Sequence, residues 1–352
     1  MRAETVSGIR TDLACRPALA SAIVSVVEPV VPPVSVFRVL DPEMLVAAIR
    51  HARFDCCQVS RQPAPSMLGR VVCGPVCLDL AALGPAMLFH GPLAPDCYTM
   101  MFVSACPQPG RSFNLSLEHG DGYLGFFPPG EVIDVYTPEG YANAALAVPV
   151  AEFHAALDWQ FPEIPGSVLE RGTGVRVGPT EEAALRRLLA AVQETLGHPA
   201  TPLADEPVRR QLEHELVGAF IAALRRGCTP RGLEPTVRAA GRLRRLRQAR
   251  DYLAGNLDRL LRIDELCAEL GLTERGVEKL FRDLLDLTPA AYLRHLRLHH
   301  ARRRLLQLGP ESGAVKQAAL GAGFWHLGRF AQDYRKLFGE RPSETLGRRA
   351  LR

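Results

Sequence analysis

Between residues 35 and 150 the chain alternates short apolar runs with connections rich in Gly and Pro. Examples of these runs are Arg70–Gly74, Ala86–Gly91 and Cys97–Val103. Many short apolar runs at regular spacing are typical of the strands of a β-barrel or sandwich. The pattern predicts a β-rich domain over residues 35–178, preceded by a flexible tail over residues 1–34. One helix is expected inside this domain at Pro42–Arg50, with Asp41 as its N-cap.

Beyond residue 178 the apolar residues recur at helical spacing. Two stripes of this kind run through Glu181–Leu196 and Pro207–Arg226, and they predict a helical hairpin over residues 179–226. One stripe is expected to pack on the β-rich domain. The other fits a dimer face and packing within the chain equally well, so the hairpin is expected to mediate dimerisation or to relay a change of state. The Gly- and Pro-containing segment 227–237 is expected to be a linker.

The remaining residues, 238–352, are predicted to form an all-α domain with two helix–turn–helix units. The first, Ile263–Phe281, is a short apolar-periodic helix, a break at Gly271 and a longer helix. The second unit, Val315–Tyr334, repeats this order. A helix from Thr288-Pro289 to Leu308 is expected to join them. Its length of about 30 Å is close to one turn of DNA, about 34 Å. The spacing predicts two recognition helices in successive major grooves. The predicted fold class is therefore α+β.

The polar residues at the start of each second helix are the candidate DNA contacts, because that is the end a helix–turn–helix presents to base edges. In the first unit they are Thr273, Arg275, Glu278 and Lys279, and in the second His326, Leu327, Arg329 and Gln332. Arginine can pair with guanine, glutamine with adenine, and glutamate can accept from cytosine. Thr273 and His326 are also expected to be the N-caps of the two helices.

The joining helix is rich in basic residues. Arg294, Arg297, Arg302 and Arg304 are expected to face outward. His295 and His299 lie four positions apart, and we expect them to face solvent or phosphate rather than to bind a metal.

Charge divides the chain in the same way as the helical pattern. Residues 1–235 carry a net charge of −7 and residues 236–352 a net charge of +11. Solvated helix faces would account for the charge alone, but not for the two helix–turn–helix units beside it. Only the C-terminal part is therefore expected to meet nucleic acid phosphate.

The nine cysteines are an odd number in a long chain, which favours reduced thiols and a cytoplasmic location over a disulfide framework. Their spacing fits no strong zinc pattern. We find no apolar stretch long enough to span a membrane, so no membrane partner is expected.

A set of C-terminal residues carries a family resemblance. The set comprises Leu266–Leu272, Leu280-Phe281, Thr288-Pro289, Tyr292-Leu293, Arg297-Leu298, Ala301-Arg302, Gly323-Phe324, Arg329-Phe330 and Phe338–Ser343. With it, residues 238–346 resemble the DNA-binding domain of AraC/XylS-family transcription regulators. The run Gly323–Leu346 is similar to the branch that includes ethanolamine-operon regulators. The N-terminal half is similar to the cupin-like sensor of the same family, best over Gly122–Pro149.

The resemblance implies a sequence-specific regulator that binds double-stranded promoter DNA, usually as a homodimer, and contacts RNA polymerase. It also implies control by a small-molecule effector in the N-terminal domain, with activation more frequent than repression. By matching position, the family's DNA-contact roles fall on the residues named above from Arg275 to Lys279 and from His326 to Gln332. No cofactor, metal or catalytic residue is implied, so the chain is not expected to be an enzyme.

Three residues depart from the family pattern. Gly276 lies inside the first recognition helix, where glycine costs about 1 kcal/mol relative to alanine. Ala318 stands where the family has a large aliphatic residue, and Gly321 where a larger or basic one is common. The support helix of the second unit is therefore expected to be loosely packed, leaving the first unit to dominate binding.

Two other classes of function stay open. A cupin-type enzyme fused to a DNA-binding domain would need a metal cluster such as His-x-His with a nearby Glu, which the sequence lacks. A thiol-switched regulator would use Cys56, Cys57, Cys73 and Cys77. The alternative in which these cysteines are unreactive core residues is preferred.

Overall fold

The computed structural model describes residues 32–39, 41–60, 62–109, 112–114, 117–160, 164, 166–171, 173–196, 202–227, 237–308 and 312–348. The predicted tail (1–34) and linker (227–237) lie outside these ranges except for their end residues. All described elements from Pro33 onward belong to one unit. The domain boundaries drawn from the sequence stay predictions.

The N-terminal part is β-rich. Its strands are β1 Val34–Val39, β2 Asp55–Gln58, β3 Ser66–Cys73, β4 Val76–Ala82, β5 Met87–Pro92, β6 Cys97–Ala105, β7 Ser112–Asn114, β8 Leu117–His119, β9 Tyr123–Phe127, β10 Val132–Thr137, β11 Ala142–Pro149 and β12 Thr173–Arg176.

These strands form two antiparallel sheets. The seven-stranded sheet has the order β1-β3-β4-β11-β6-β9-β12, and the five-stranded sheet has the order β2-β5-β10-β7-β8. One apolar core joins residues of both sheets, among them Phe89 of β5, Met101 of β6 and Val135 of β10. Alternate residues of β5, β6 and β10 enter this core, as the two-residue period of a strand requires. The predicted β-rich architecture is confirmed.

The helices are α1 Pro42–Ala48, α2 Val150–Gln160, α3 Gly166–Glu170, α4 Pro179–Leu196, α5 Glu206–Gly227, α6 Val237–Ala254, α7 Ile263–Leu270, α8 Glu274–Leu285, α9 Pro289–Gln307, α10 Ala314–Gly321, α11 Leu327–Phe338 and α12 Pro342–Arg348. Asp41 caps α1 as predicted, because its side chain accepts a hydrogen bond from the Glu43 N–H at 3.0 Å.

The hairpin of α4 and α5 packs on the seven-stranded sheet. Leu185 and Leu189 of α4, and Leu216 and Phe220 of α5, are buried in one cluster with residues of β6 and β11. Both apolar stripes are thus used inside the chain, which favours intrachain packing over a dimer face for the second stripe.

The C-terminal helices build two small cores joined by α9. The first unit is packed around Leu266 of α7 and Phe281 of α8. The second unit is packed around Ala318 of α10, with Phe330 and Tyr334 of α11. The order of two short helix pairs around one long helix is the order that the sequence predicts.

The five-stranded sheet has the C-terminal helices on its other face. Cys57 of β2, Leu88 of β5 and Tyr136 of β10 belong to one apolar cluster with Leu246 and Leu253 of α6. Their strand neighbours point the opposite way into the core between the sheets. Strands β2, β5 and β10 are therefore a shared wall, with the inter-sheet core on one face and the C-terminal helices on the other.

Ion pairs accompany this apolar contact. The Asp134 carboxylate of β10 pairs with Arg247 and Arg250 of α6. Asp134 and Arg250 are both buried. A charged pair of this kind fixes the register of the contact, since either partner alone would be a buried uncompensated charge.

The predictions for Arg302 and His299 of α9 are wrong. Arg302, expected to face outward, is 1% exposed, and His299, expected to face solvent or phosphate, is also 1% exposed. The Gln58 N–H of β2 donates to His299 Nε2 at 2.8 Å, and Arg302 Nε donates to Glu43 Oε2 of α1 at 3.0 Å. These side chains are buried because the β-rich part covers that face of α9.

Candidate functional site

The turn of the first helix–turn–helix unit follows from two residues. Gly271 ends α7 in the left-handed region at φ 59°, where a side chain would be strained. Thr273 then caps α8, with its hydroxyl oxygen accepting from the Gly276 N–H at 3.2 Å. Val277 and Phe281 of α8 are fully buried. These contacts fix the opposite face of α8 toward solvent.

All the candidate DNA contacts of the first unit lie on that outer face. Thr273, Arg275, Glu278 and Lys279 are exposed. Lys279 Nζ lies 3.0 Å from Asp283 Oδ2, one turn further along α8. This exposed pair is solvent-screened and worth little, so it leaves the ammonium available to a phosphate.

A basic groove beside α8 was not anticipated from the sequence. Arg242 and Arg245 of α6 line it together with Lys279 and Gly276. Arg242 Nη2 lies 3.3 Å from Asp283 Oδ2. The pattern of α6 indicates that its arginines face outward, but only the packing of α6 on α8 places these two beside the recognition helix.

The second unit presents its recognition helix in the same way. Leu327, Arg329 and Gln332 of α11 are exposed. His326 is exposed and is the N-cap residue by backbone position, but its side chain makes no capping hydrogen bond. The position predicted for His326 is confirmed, whereas the capping role of its side chain is wrong.

Trp325 is a residue that the sequence reasoning missed. It directly precedes His326, and it is 75% exposed. In the sequence Trp325 looks like another core aromatic residue, because Phe324 and Phe330 lie close to it. Those two rings do pack together, with centroids 5.0 Å apart. Its exposure adds a large apolar side chain to the outer surface at the start of α11.

The expectation of a loosely packed support helix is wrong. Ala318, Ala319 and Ala322 are fully buried against α9 and α11. A Cβ at Gly321 would lie 2.6 Å from Arg304 Nη1, so the glycine makes room for that arginine. The small residues of α10 thus permit a close approach of the helices.

Helix α9 sets the distance between the two units. It has 19 residues, which corresponds to about 28 Å. Arg294 is exposed as predicted, but Arg297 is half-buried and donates from Nε to the Leu257 carbonyl at 3.1 Å. Both recognition helices begin at exposed residues, which is one of the conditions for reading base edges.

A cavity of about 100 Å³ lies in the core between the two sheets. Its wall is mainly apolar, with a few polar groups, among them His51, Asp79 and Thr99. Leu45, in the middle of α1, and Ile49, just after the end of α1, also line it. The cavity is thus bounded by the shared wall and by α1, whose first-turn residue Glu43 accepts a hydrogen bond from Arg302.

Comparisons with known proteins assign the C-terminal part. Residues 266–348 match a family model described as a helix-turn-helix domain. The structure of a probable AraC family transcriptional regulator from Rhodopseudomonas palustris CGA009 is 42% identical over 30% of this chain and 97% of that chain, with a TM-score of 0.28. The chain belongs to the AraC/XylS family of transcriptional regulators.

Curated relatives match a stretch of similar length in this AraC/XylS-family chain. XylDLEGF operon transcriptional activator 1 of Pseudomonas putida is 39% identical over 102 residues, 29% of this chain and 30% of that protein. The probable thc operon regulatory protein of Rhodococcus erythropolis is 36% identical over 101 residues, again 29% and 30%. The chain therefore aligns with about a third of these relatives, and the narrower likeness to ethanolamine-operon regulators stays a prediction.

The cysteines of this AraC/XylS-family chain are mostly core residues. Among the described residues, Cys56, Cys57, Cys73, Cys77, Cys97 and Cys106 are buried and Cys267 is half-exposed. Burial raises the pKa of Cys57 and Cys77 to about 12 and that of Cys73 to about 11. A thiol with a raised pKa is a poor nucleophile, so this geometry supports the inert alternative.

In the described ranges we find no group of three or more His, Cys, Asp or Glu side chains arranged to hold a metal ion. None of the helices described there combines the length and apolarity needed to cross a bilayer.

Proposed function

We propose that this protein is a sequence-specific DNA-binding transcriptional regulator whose two recognition helices, α8 and α11, read one promoter. The observation that carries the proposal is the exposure of the first turns of both helices, which include Arg275 and Arg329. Arginine pairs with guanine in the major groove, and the basic groove of Arg242 and Arg245 can meet the adjacent phosphates.

We further propose that it activates transcription, contacts RNA polymerase and acts as a homodimer in the cytoplasm. The relatives from Pseudomonas putida are named as transcriptional activators, which supports activation. The buried stripes of α4 and α5 leave a dimer to form through other surfaces. We propose a regulator rather than an enzyme because the family relationship accounts for the C-terminal domain.

Control by a small molecule is the remaining part of the proposal. The cavity lies between the sheets, and β2, β5 and β10 separate it from the C-terminal helices. Leu45 of α1 lines the cavity, and Glu43 of the same helix accepts a hydrogen bond from Arg302. A ligand that favours one position of α1 or of the wall would therefore also favour one arrangement of the DNA-binding helices, and such differential affinity shifts the equilibrium.

The experiment begins with selection of bound duplexes from a random-sequence pool by the full-length protein. Fluorescence anisotropy on the selected duplex then compares variants. Arg275→Ala and Arg329→Ala should each lose about 1–3 kcal/mol of specific binding. Arg335→Ala is the matched control, since Arg335 is exposed in the last turn of α11, away from the reading end. Equal affinity of the two reading variants and the parent would refute the assignment.

A further inference from the structure

The central strand of the cavity is built from small residues. Ala145 and Ala147 of β11 line the cavity. In the sheet, Ala147 pairs with Cys77 of β4 and Thr99 of β6, and Ala145 pairs with Asp79 and Met101. Alanines flanked by larger neighbours leave space above the strand. The cavity is thus a consequence of the sequence of β11.

The carboxylate that lines the cavity, that of Asp79, is already paired. Asp79 accepts from Arg70 Nε and Nη2, both at 2.7 Å, so the pair is neutral and both carboxylate oxygens are occupied. Burial lowers the pKa of His51, which favours its neutral form. A ligand carboxylate would therefore find no unpaired cation among the described residues that line the cavity, and it would lie close to Asp79.

The hydroxyl groups that line the cavity differ in whether they already have a hydrogen-bond partner. The Thr137 hydroxyl donates to the Met87 carbonyl at 3.4 Å, and the Tyr141 hydroxyl lies 3.2 Å from His119 Nε2. Thr99 is 7% exposed, and its Oγ1 has no hydrogen-bond partner in the described part of the chain. A buried hydroxyl without a partner costs about 1–3 kcal/mol, and a ligand group can remove that cost.

We propose that the cavity binds an uncharged, mainly apolar molecule about the size of one ring, with a single hydrogen-bonding group that pairs with Thr99 Oγ1. This inference rests on the effector role proposed above and specifies the chemistry of that site. The volume of about 100 Å³ is about two-thirds that of a cavity of about 150 Å³ which holds benzene, so the ligand is limited to about one ring. A sugar is disfavoured because most of its hydroxyls would lose water without gaining a partner.

The test measures binding to the full-length chain by titration calorimetry, without DNA. The probes are benzyl alcohol, toluene, benzoate and glucose. We expect benzyl alcohol to bind more tightly than toluene, and benzoate and glucose to bind at least tenfold more weakly than benzyl alcohol. Thr99→Val should weaken benzyl alcohol about three- to tenfold and leave toluene unchanged.

Thr137→Val is the matched control, because its hydroxyl already has a partner in the chain. It should leave the ratio of the two affinities unchanged. Ala145→Leu should fill the cavity and weaken both apolar probes, and thermal unfolding checks that each variant is folded. The proposal is overturned if benzoate or glucose binds as tightly as benzyl alcohol, if none of the probes binds at millimolar concentration, or if Thr99→Val has no selective effect.

A separate measurement distinguishes this proposal from the effector role. DNA affinity of the full-length protein is compared with and without saturating benzyl alcohol. Thr99-dependent binding without any change in DNA affinity supports the ligand class and contradicts control of DNA binding by this site.

Discussion

Arg302 of α9 donates from Nε to Glu43 Oε2 of α1 at 3.0 Å, although the two residues are 259 positions apart. The same guanidinium donates from Nη1 to Glu340 Oε1 at 2.7 Å and to the Tyr334 hydroxyl at 3.0 Å. It also pairs with Asp41 and lies over the Phe338 ring at 4.6 Å. One buried arginine thus joins the cap of α1 to the core of the second helix–turn–helix unit.

Replacement of Arg302 by Met should destabilise the protein by about 3–5 kcal/mol, because it leaves the carboxylates of Asp41, Glu43 and Glu340 without their buried cation. Urea denaturation followed by circular dichroism measures the change. Arg294→Met is the control on the same helix, since Arg294 is exposed and lies 3.9 Å from its partner Asp333. The control should stay within about 0.5 kcal/mol of the parent. Equal loss in both variants would contradict the proposed role.

The stability contributed by Glu43 should depend on pH. Burial acts to raise the pKa of Glu43, but the hydrogen bond from His299 Nδ1 and the charge of Arg302 outweigh it and lower the pKa to about 2. A carboxylate with a lowered folded-state pKa stabilises above its ordinary value of 4.5, and the contribution is lost as the pH falls toward 2. Burial raises the pKa of the adjacent Asp41, so its contribution has the opposite sign.

The parent must therefore be compared with Glu43→Gln rather than examined alone. The difference in unfolding free energy between the two should be largest near pH 6 and should shrink steadily from about pH 4.5 downward. Urea titrations at several pH values give this difference. A difference independent of pH would show that the charge of Glu43 is not what the contact uses.

The sequence predicts the helix–turn–helix units well because their signals are local. Thr273 and Thr288 each cap a helix by accepting from the backbone N–H three residues on, and the apolar period of α8 identifies its buried face. The positions of His299 and Arg302 could not be predicted in this way. Their partners are Gln58, Asp41 and Glu43, more than 200 positions earlier, and on α9 alone a basic residue at either position looks like part of a solvated face.

Gly276 of α8 can be replaced by alanine without a steric clash. A Cβ at Gly276 would lie 3.4 Å from Thr273 Oγ1 and 3.5 Å from Leu272 Cβ, which is ordinary contact. Gly276→Ala should therefore raise stability by about 1 kcal/mol. Gly271→Ala is the control of opposite sign, because Gly271 has φ 59° and a side chain there costs about 1–2 kcal/mol. Denaturation midpoints shifted in the same direction by both changes would contradict this account.

The buried thiols should react slowly in the native protein. Burial raises the pKa of Cys56, Cys57 and Cys77, which lowers the fraction of reactive thiolate. Of the cysteines in the described ranges, Cys267 is the half-exposed one and should be alkylated first. Iodoacetamide labelling followed by peptide mass spectrometry measures each rate, with urea-unfolded protein as the reference. Rapid native labelling of Cys56 or Cys57 would revive the thiol-switch alternative.

The basic groove beside α8 should contribute to affinity without contributing to sequence preference. Arg245 lines the groove with Arg242 and Lys279, where a phosphate of the duplex can lie. Arg245→Ala should weaken binding to specific and non-specific duplexes by a similar factor and should reduce the salt slope of log K by about 1. The neighbouring Arg244→Ala is the control, since Arg244 is exposed but does not line the groove. Arg275→Ala should instead weaken the selected duplex more than a scrambled one. If Arg245→Ala shows that same sequence-dependent loss and an unchanged salt slope, the groove reads bases rather than phosphates.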